Sequence, residues 1–127
     1  MESVEEMKEF ENILLNKKEK REQCKTVIKR EGGKDIGEHG RRAMRRIITN
    51  TLAIKYSWSR QKKTIRFKDL LISKLIVDSM VSAHASTNIK KLEDAIQLWL
   101  NHASDREKKR KREKIILHDL KLIWMQT

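Results

Sequence analysis

The sequence predicts an all-α protein, a small helical domain of three to four helices with a long N-terminal helix before it and a basic C-terminal helix after it. Two observations carry that expectation at the outset. Proline is absent, glycine occurs only four times and 38% of residues are charged, a composition that favours long uninterrupted helices over a sheet with many tight turns. The 127 residues allow one domain with a modest core plus flanking segments, not two independent cores. A third observation, apolar residues recurring at helical spacing, comes from the elements themselves.

From Glu2 to Arg30 a heptad frame places Met7, Leu14, Arg21 and Ile28 at one core position and Phe10, Lys17 and Cys24 at the other. This segment, residues 1–31, reads either as a weak dimerising coiled coil or as a solvated helix that packs only at its ends. Gly32, Gly33, Gly37 and Gly40 follow, all the glycines of the chain within nine residues, and mark residues 32–40 as a flexible hinge and domain boundary. Asp35 and Glu38 have capping-box spacing, which opens a helix from about Glu38 to Tyr56. On its wheel Arg41, Arg42, Arg45 and Arg46 span an arc of about 140°, apart from Met44, Ile47, Ile48 and Ile54. Residues 57–66 lack helical periodicity and read as a loop.

A helix from about Phe67 to Val81 carries the stripe Leu71, Ile72, Leu75, Ile76 and Met80. After the turn AHAST, Thr87 or Asn88 caps a further helix in which Ile89, Leu92, Ile96, Trp99, Leu100 and Ala103 keep the 3.6 period. The domain is thus expected over residues 41–104. Ser104 and Glu107 then have capping-box spacing, opening a basic helix with an apolar tail over residues 105–127.

The formal charge of +12 is localised. Residues 1–40, 41–68, 69–104 and 105–127 carry net −1, +10, −1 and +4. A concentrated excess of this kind calls for a polyanion. Arg41, Arg42, Arg45, Arg46, Arg60, Lys62, Lys63, Arg66 and Lys68 are the candidate nucleic-acid contacts, with no acidic residue among the 28 from Arg41 to Lys68. Each cation that neutralises a phosphate releases a condensed counterion; arginine forks suit base edges, and loop lysines suit phosphates as point charges. Trp58, inside the loop, either stacks on a base or plugs the core, and core is favoured. The run Lys108, Lys109, Arg110, Lys111 and Arg112 has the composition of a nuclear localisation signal or of an exposed helix face.

Other classes find little support. No glycine-rich phosphate loop, carboxylate pair beside a histidine, or Ser/His/Asp or Cys/His arrangement is recognisable by spacing, so no enzyme, cofactor or small-molecule substrate is expected. His39, His84, His102 and His118 with the lone Cys24 lack zinc-site spacing, and one cysteine cannot close an internal disulfide. Lys74 interrupts the longest apolar run, Leu70 to Val77, and Glu2, Glu5 and Glu6 are unlike a signal peptide. The expected setting is intracellular and nuclear, with no membrane partner.

From about Arg42 to Arg112, the stretches RRIITNTLAIKYSW, FKDLLISKLIVDSM and IKKLEDAIQLWLNHASDREKKRKR resemble the domain-of-unknown-function family numbered 4806. The matching positions are Leu52, Ser57, Trp58, Lys62, Lys63, Phe67, Leu71, Ile96, Trp99, Leu100 and Arg106. Ser59, Arg60 and Gln61 depart from the glycine-containing turn often seen in that family. The resemblance implies a defined helical module and names no reaction; its layout is also similar to that of BEN domains, which bind DNA, by analogy of fold and charge.

Together these readings point to a non-enzymatic nucleic-acid-binding module, DNA ahead of RNA, serving transcription or chromatin regulation, with a homodimer through the N-terminal helix as an option. The rival is a protein-interaction adaptor that pairs through Met7 to Leu14 and through the stripe Ile116, Leu120, Ile123 and Trp124.

Overall fold

A computed structural model of the chain describes residues 1–59, 63–84 and 88–112. Its elements are helices apart from one two-residue strand pair, and the fold class is all-α as expected. The first helix, α1 (Val4–Asn16), starts at Ser3, whose Oγ accepts from Glu6 N at 3.1 Å. It stops at Lys17, and α2 (Lys18–Glu31) begins immediately after. The long N-terminal helix is therefore two helices, for a physical reason. A continuous helix would drive Lys17 and Arg21 into the apolar seam. The break leaves Lys17 exposed and turns Arg21 back onto the end of α1, where Nη1 donates to Leu14 O at 2.6 Å and Leu15 O at 3.2 Å. Those carbonyls have no partner within a helix that ends there.

Met7, Leu14 and Ile28 are fully buried and belong to the same core cluster as Phe67, Ile76 and Ile96. The N-terminal segment is thus part of the domain, with both of its helices against α5 (Leu71–Ala83). The seam considered for self-association is covered by the chain's own side chains. Glu11 fastens it. The first turn of α5 has no side-chain cap of its own, and Leu71 N and Ile72 N donate to Glu11 Oε1 and Oε2 at 2.6 and 3.0 Å. A carboxylate there satisfies two orphan donors and faces the positive end of the helix dipole.

The glycine stretch expected as a flexible hinge is packed instead. Gly32 ends α2 with φ +59, a conformation that L side chains disfavour. A Cβ on Gly33 would lie 2.6 Å from His39 N, and one on Gly40 would lie 2.7 Å from Leu92 Cδ1, so these glycines permit close approach. The next helix, α3 (Ile36–Ile47), takes in Gly37 and Gly40. It is capped by Asp35, whose Oδ1 accepts from Glu38 N at 2.8 Å, while Glu38 Oε2 accepts from Lys34 N. His39, 1% exposed, donates from Nε2 to Ile28 O at 2.7 Å, which leaves Nδ1 to accept from His84 Nε2 at 2.9 Å. One imidazole ties α3 to α2 and to the end of α5.

The helix expected to run to Tyr56 ends at Ile47, because Ile48 turns inward as extended chain and Thr49 caps a separate short helix, α4 (Asn50–Ala53). The stretch expected as a loop over 57–66, with Tyr56 before it, forms a strand pair at its two ends. Strands β1 (Tyr56–Ser57) and β2 (Ile65–Arg66) pair in parallel, and the turn is tied by Ser57 Oγ, which donates to Ser59 O and accepts from Thr64 Oγ1, both at 2.7 Å. Tyr56 and Trp58 are buried against the ring of Phe67, which settles Trp58 as core. A 3₁₀ turn (Phe67–Asp69) precedes α5, so that helix begins later than expected.

Helix α6 (Ile89–Asn101) starts at Asn88, whose Oδ1 accepts from Lys91 N at 3.3 Å; the alternative cap Thr87 lies outside the described residues. Leu92, Ile96, Trp99, Leu100 and Ala103 are buried as the period requires, while Ile89 is exposed. After one turn residue, His102, residues 103–112 are helical and are here α7. Ser104 lies within that helix and does not cap it. The apolar tail of the C-terminal segment, with the stripe Ile116 to Trp124 assigned to the adaptor reading, lies outside the described residues.

Replacing Glu11 by Ala is expected to cost about 1–2 kcal/mol in urea denaturation, with a smaller loss for Glu11→Gln, which keeps one acceptor; unchanged midpoints would show that α5 starts without the cap. Asp35 offers a second check. Its hydrogen bond from the Glu38 backbone, helped by Arg41 and Lys34, holds its carboxyl below the ordinary value. A depressed folded-state value stabilises above the unfolded one and is lost as pH falls through the folded one. The Glu38 amide resonance should therefore shift with a midpoint below that of an unfolded aspartate.

Candidate nucleic-acid interface

The arginines of α3 follow from the way that helix is seated. Ala43 and Met44 are buried, and the main contacts of α3 are with α6. This turns Arg41, Arg42, Arg45 and Arg46 outward, all exposed. The expectation that these cations lack acidic neighbours is corrected. Arg42 Nη2 lies 2.6 Å from Glu38 Oε1, Arg46 Nε lies 3.5 Å from Glu31 Oε1, and the charge of Arg41 reaches Asp35. Glu31 and Glu38 precede the acid-free stretch in sequence, and the packing of α2 beside α3 brings Glu31 back. Such half-exposed pairs contribute at most about 1 kcal/mol each, a weak hold against a phosphate.

Arg45 has no carboxylate within ion-pair distance among the described residues. It lines two depressions. One is a shallow basin shared with Glu31, Arg42 and Arg46. The other is a cleft of about 410 Å³ whose wall includes Thr49 to Thr51, Trp99, Glu107 and Arg110. Arg110 belongs to the second basic run, so the fold brings the two basic blocks, far apart in the chain, to one cleft.

Arg106 meets the wall of that cleft at Asn50. Its guanidinium stacks on Trp99 at 4.0 Å from the ring centroid, and Nε donates to Asn50 Oδ1 at 2.9 Å. Its Nη2 and the indole Nε1 of Trp99 are buried without a hydrogen-bond acceptor among the described residues. Orphaned buried donors are uncommon and cost about 1–3 kcal/mol each. Burial, and then the like charge of Arg45, lower the guanidinium of Arg106 from its ordinary value. Arg110 is held by Glu107 Oε1 at 2.7 Å, and this bond, with Glu2 further off, raises its value.

The other expected contacts stand elsewhere. Lys63, with φ 68, and Lys68 are exposed, and Arg66 pairs with Asp69 at 3.4 Å. Lys63 and Lys68 flank β2, which contains Arg66 and pairs with β1, whereas α3 rests mainly on α6; the helix and loop cations are thus held by different neighbours. Arg60 and Lys62 lie outside the described residues. In the localisation candidate, Lys108, Lys109, Arg110, Lys111 and Arg112 are all exposed on α7. Sequence reasoning placed Arg106 among family-like positions only and did not join Arg110 to α3. The capping-box spacing of Ser104 and Glu107 pointed to a helix start, whereas Glu107 in fact holds Arg110.

Groups suited to other chemistry are few. Burial, and then Glu11, push the Cys24 thiol up, away from a reactive thiolate. Among the described residues, no cluster of three or more His, Cys, Asp or Glu could hold a metal ion, and no helix is long and apolar enough to cross a membrane.

Arg106→Ala should lower stability by about 1 kcal/mol, as loss of the ring stack and the Asn50 bond outweighs relief of the orphaned donor and of the repulsion from Arg45, read by urea denaturation; wild-type stability would mean that the contacts do no more than offset those costs. Comparison with known proteins leaves the geometry to speak alone: no family model, curated protein or solved structure matches the chain.

Proposed function

We propose that this protein is a non-enzymatic nucleic-acid-binding module that grips duplex DNA with the outer face of α3, extended by α7. The observation that carries the reading is the shared position of Arg45, which joins Arg42 and Arg46 on one side to Arg110 on the other. Arginines on successive turns of one exposed helix suit the phosphate backbone first, and their forks suit base edges if the helix enters a groove. Lys63, Arg66 and Lys68 serve as secondary backbone contacts. The exposed run on α7 fits the nuclear setting that such a role requires.

Binding is measured by fluorescence anisotropy of labelled duplex, single strand and RNA hairpin at several salt concentrations. For the duplex, the logarithm of affinity should fall against log salt with a slope of about −0.9 per neutralised phosphate. Arg42→Glu with Arg46→Glu should weaken binding at least about tenfold and flatten that slope; both side chains are exposed, so losing their pairs with Glu38 and Glu31 should cost about 1 kcal/mol each and leave the fold intact. Lys63→Glu with Lys68→Glu should have the smaller effect. Wild-type affinity in the α3 double variant at matched salt would overturn the reading.

A further inference from the structure

The cleft beside Arg45 differs from the rest of the cationic surface in being walled. Its sides come from the end of α3, the start of α4 and α7, with Trp99 of α6 also lining it. Arg45 and Arg110 line it, and Arg106 binds Asn50 in its wall. Two carboxylates, Glu2 and Glu107, also line it, with Glu107 bound to Arg110. These carboxylates work against a ligand that carries more than one negative charge. Trp99, 4% exposed, leaves its indole N–H without an acceptor among the described residues, as Arg106 leaves Nη2. Thr49, Asn50 and Thr51 add neutral polar groups to the wall.

We propose that this cleft seats a single phosphodiester of the nucleic-acid backbone between Arg45 and Arg110, in preference to a phosphomonoester. A phosphodiester carries one negative charge, whereas a monoester near neutral pH carries nearly two and is repelled the more by Glu2 and Glu107. Trp99 and Asn50 line the cleft, so their side-chain N–H signals report on an oxyanion bound there. The flat basin of Arg42 and Arg46 has no comparable wall, so it attracts the backbone while the cleft sets its register. The inference rests on the nucleic-acid reading for the source of the phosphate and on the cleft alone for its chemistry.

The test uses the full chain labelled with nitrogen-15 and follows the Trp99 indole and Asn50 side-chain amide signals at constant ionic strength. Three probes are titrated: dithymidine monophosphate, its neutral methylphosphonate analogue, and inorganic phosphate. The first should shift both signals saturably. The analogue should shift neither, and inorganic phosphate should bind more weakly than the diester. Arg45→Gln, at an exposed position, should weaken the diester at least about tenfold, as loss of a charged hydrogen bond implies, and Lys90→Ala on α6 should not. Signals that ignore the diester, follow the neutral analogue equally, respond as well to inorganic phosphate, or persist unchanged in Arg45→Gln would overturn the proposal. Duplex binding measured on the same sample separates the two ideas. A duplex that binds while the diester spares the cleft leaves the general reading standing and removes this one; the converse removes the general reading and keeps the cleft.

Discussion

Two backbone N–H groups at the start of α5 point away from any cap in their own loop, and the carboxylate that receives them comes from Glu11, about sixty residues earlier. Much of the architecture depends on that long-range bond. It holds α1 on α5, against which α2 also packs, and α2 in turn supplies the Ile28 carbonyl to His39 and the Glu31 carboxylate to Arg46. A local interaction could not do this, because the helix being capped and the helix providing the cap must both be present. The apolar seam and the polar latch share one helix: Met7 and Leu14 are buried on either side of Glu11, which reaches α5.

The cationic face is a by-product of how closely α3 approaches α6. Gly40 removes the side chain that would strike Leu92, and Ala43, also buried, keeps the interface thin. With α3 drawn in, the start of α7 passes beside Asn50 and Arg45, and the two basic blocks become neighbours. The like charges of Arg45 and Arg106 are brought together by this packing and not by mutual attraction, so the contacts of Arg106 with Trp99 and Asn50 must offset their repulsion.

Much of the helical layout was legible in the residues, because period and caps act locally. The stripe from Leu92 to Leu100 packs as its spacing requires, and Asp35 and Asn88 cap the helices that they precede. What escaped was decided at a distance. The break at Lys17 looks like a poor coiled coil until Arg21 is seen to turn back onto α1. The glycines read as a hinge because composition does not reveal that Gly33 and Gly40 face His39 and Leu92. The acid-free stretch from Arg41 to Lys68 suggested unpaired cations, and the carboxylates that meet them come from Glu31 and Glu38, outside the window. For the site, the α3 arginines were readable from their arc, but their partners Arg106 and Arg110 were not, since nothing in a linear pattern says which distant helix ends beside which.

The order of elements along the chain has a consequence for biosynthesis. α1 and α2 leave the ribosome well before α5, the helix that covers their apolar seam. During that interval Met7, Leu14 and Ile28 have no native surface to pack on, and short isolated helices are marginal in water. The nascent segment therefore waits as a charged, loosely helical chain, and its docking must follow translation of α5. Its many Glu and Lys residues keep that waiting chain dispersed, so the same charge that makes a poor coiled coil makes a tolerable intermediate.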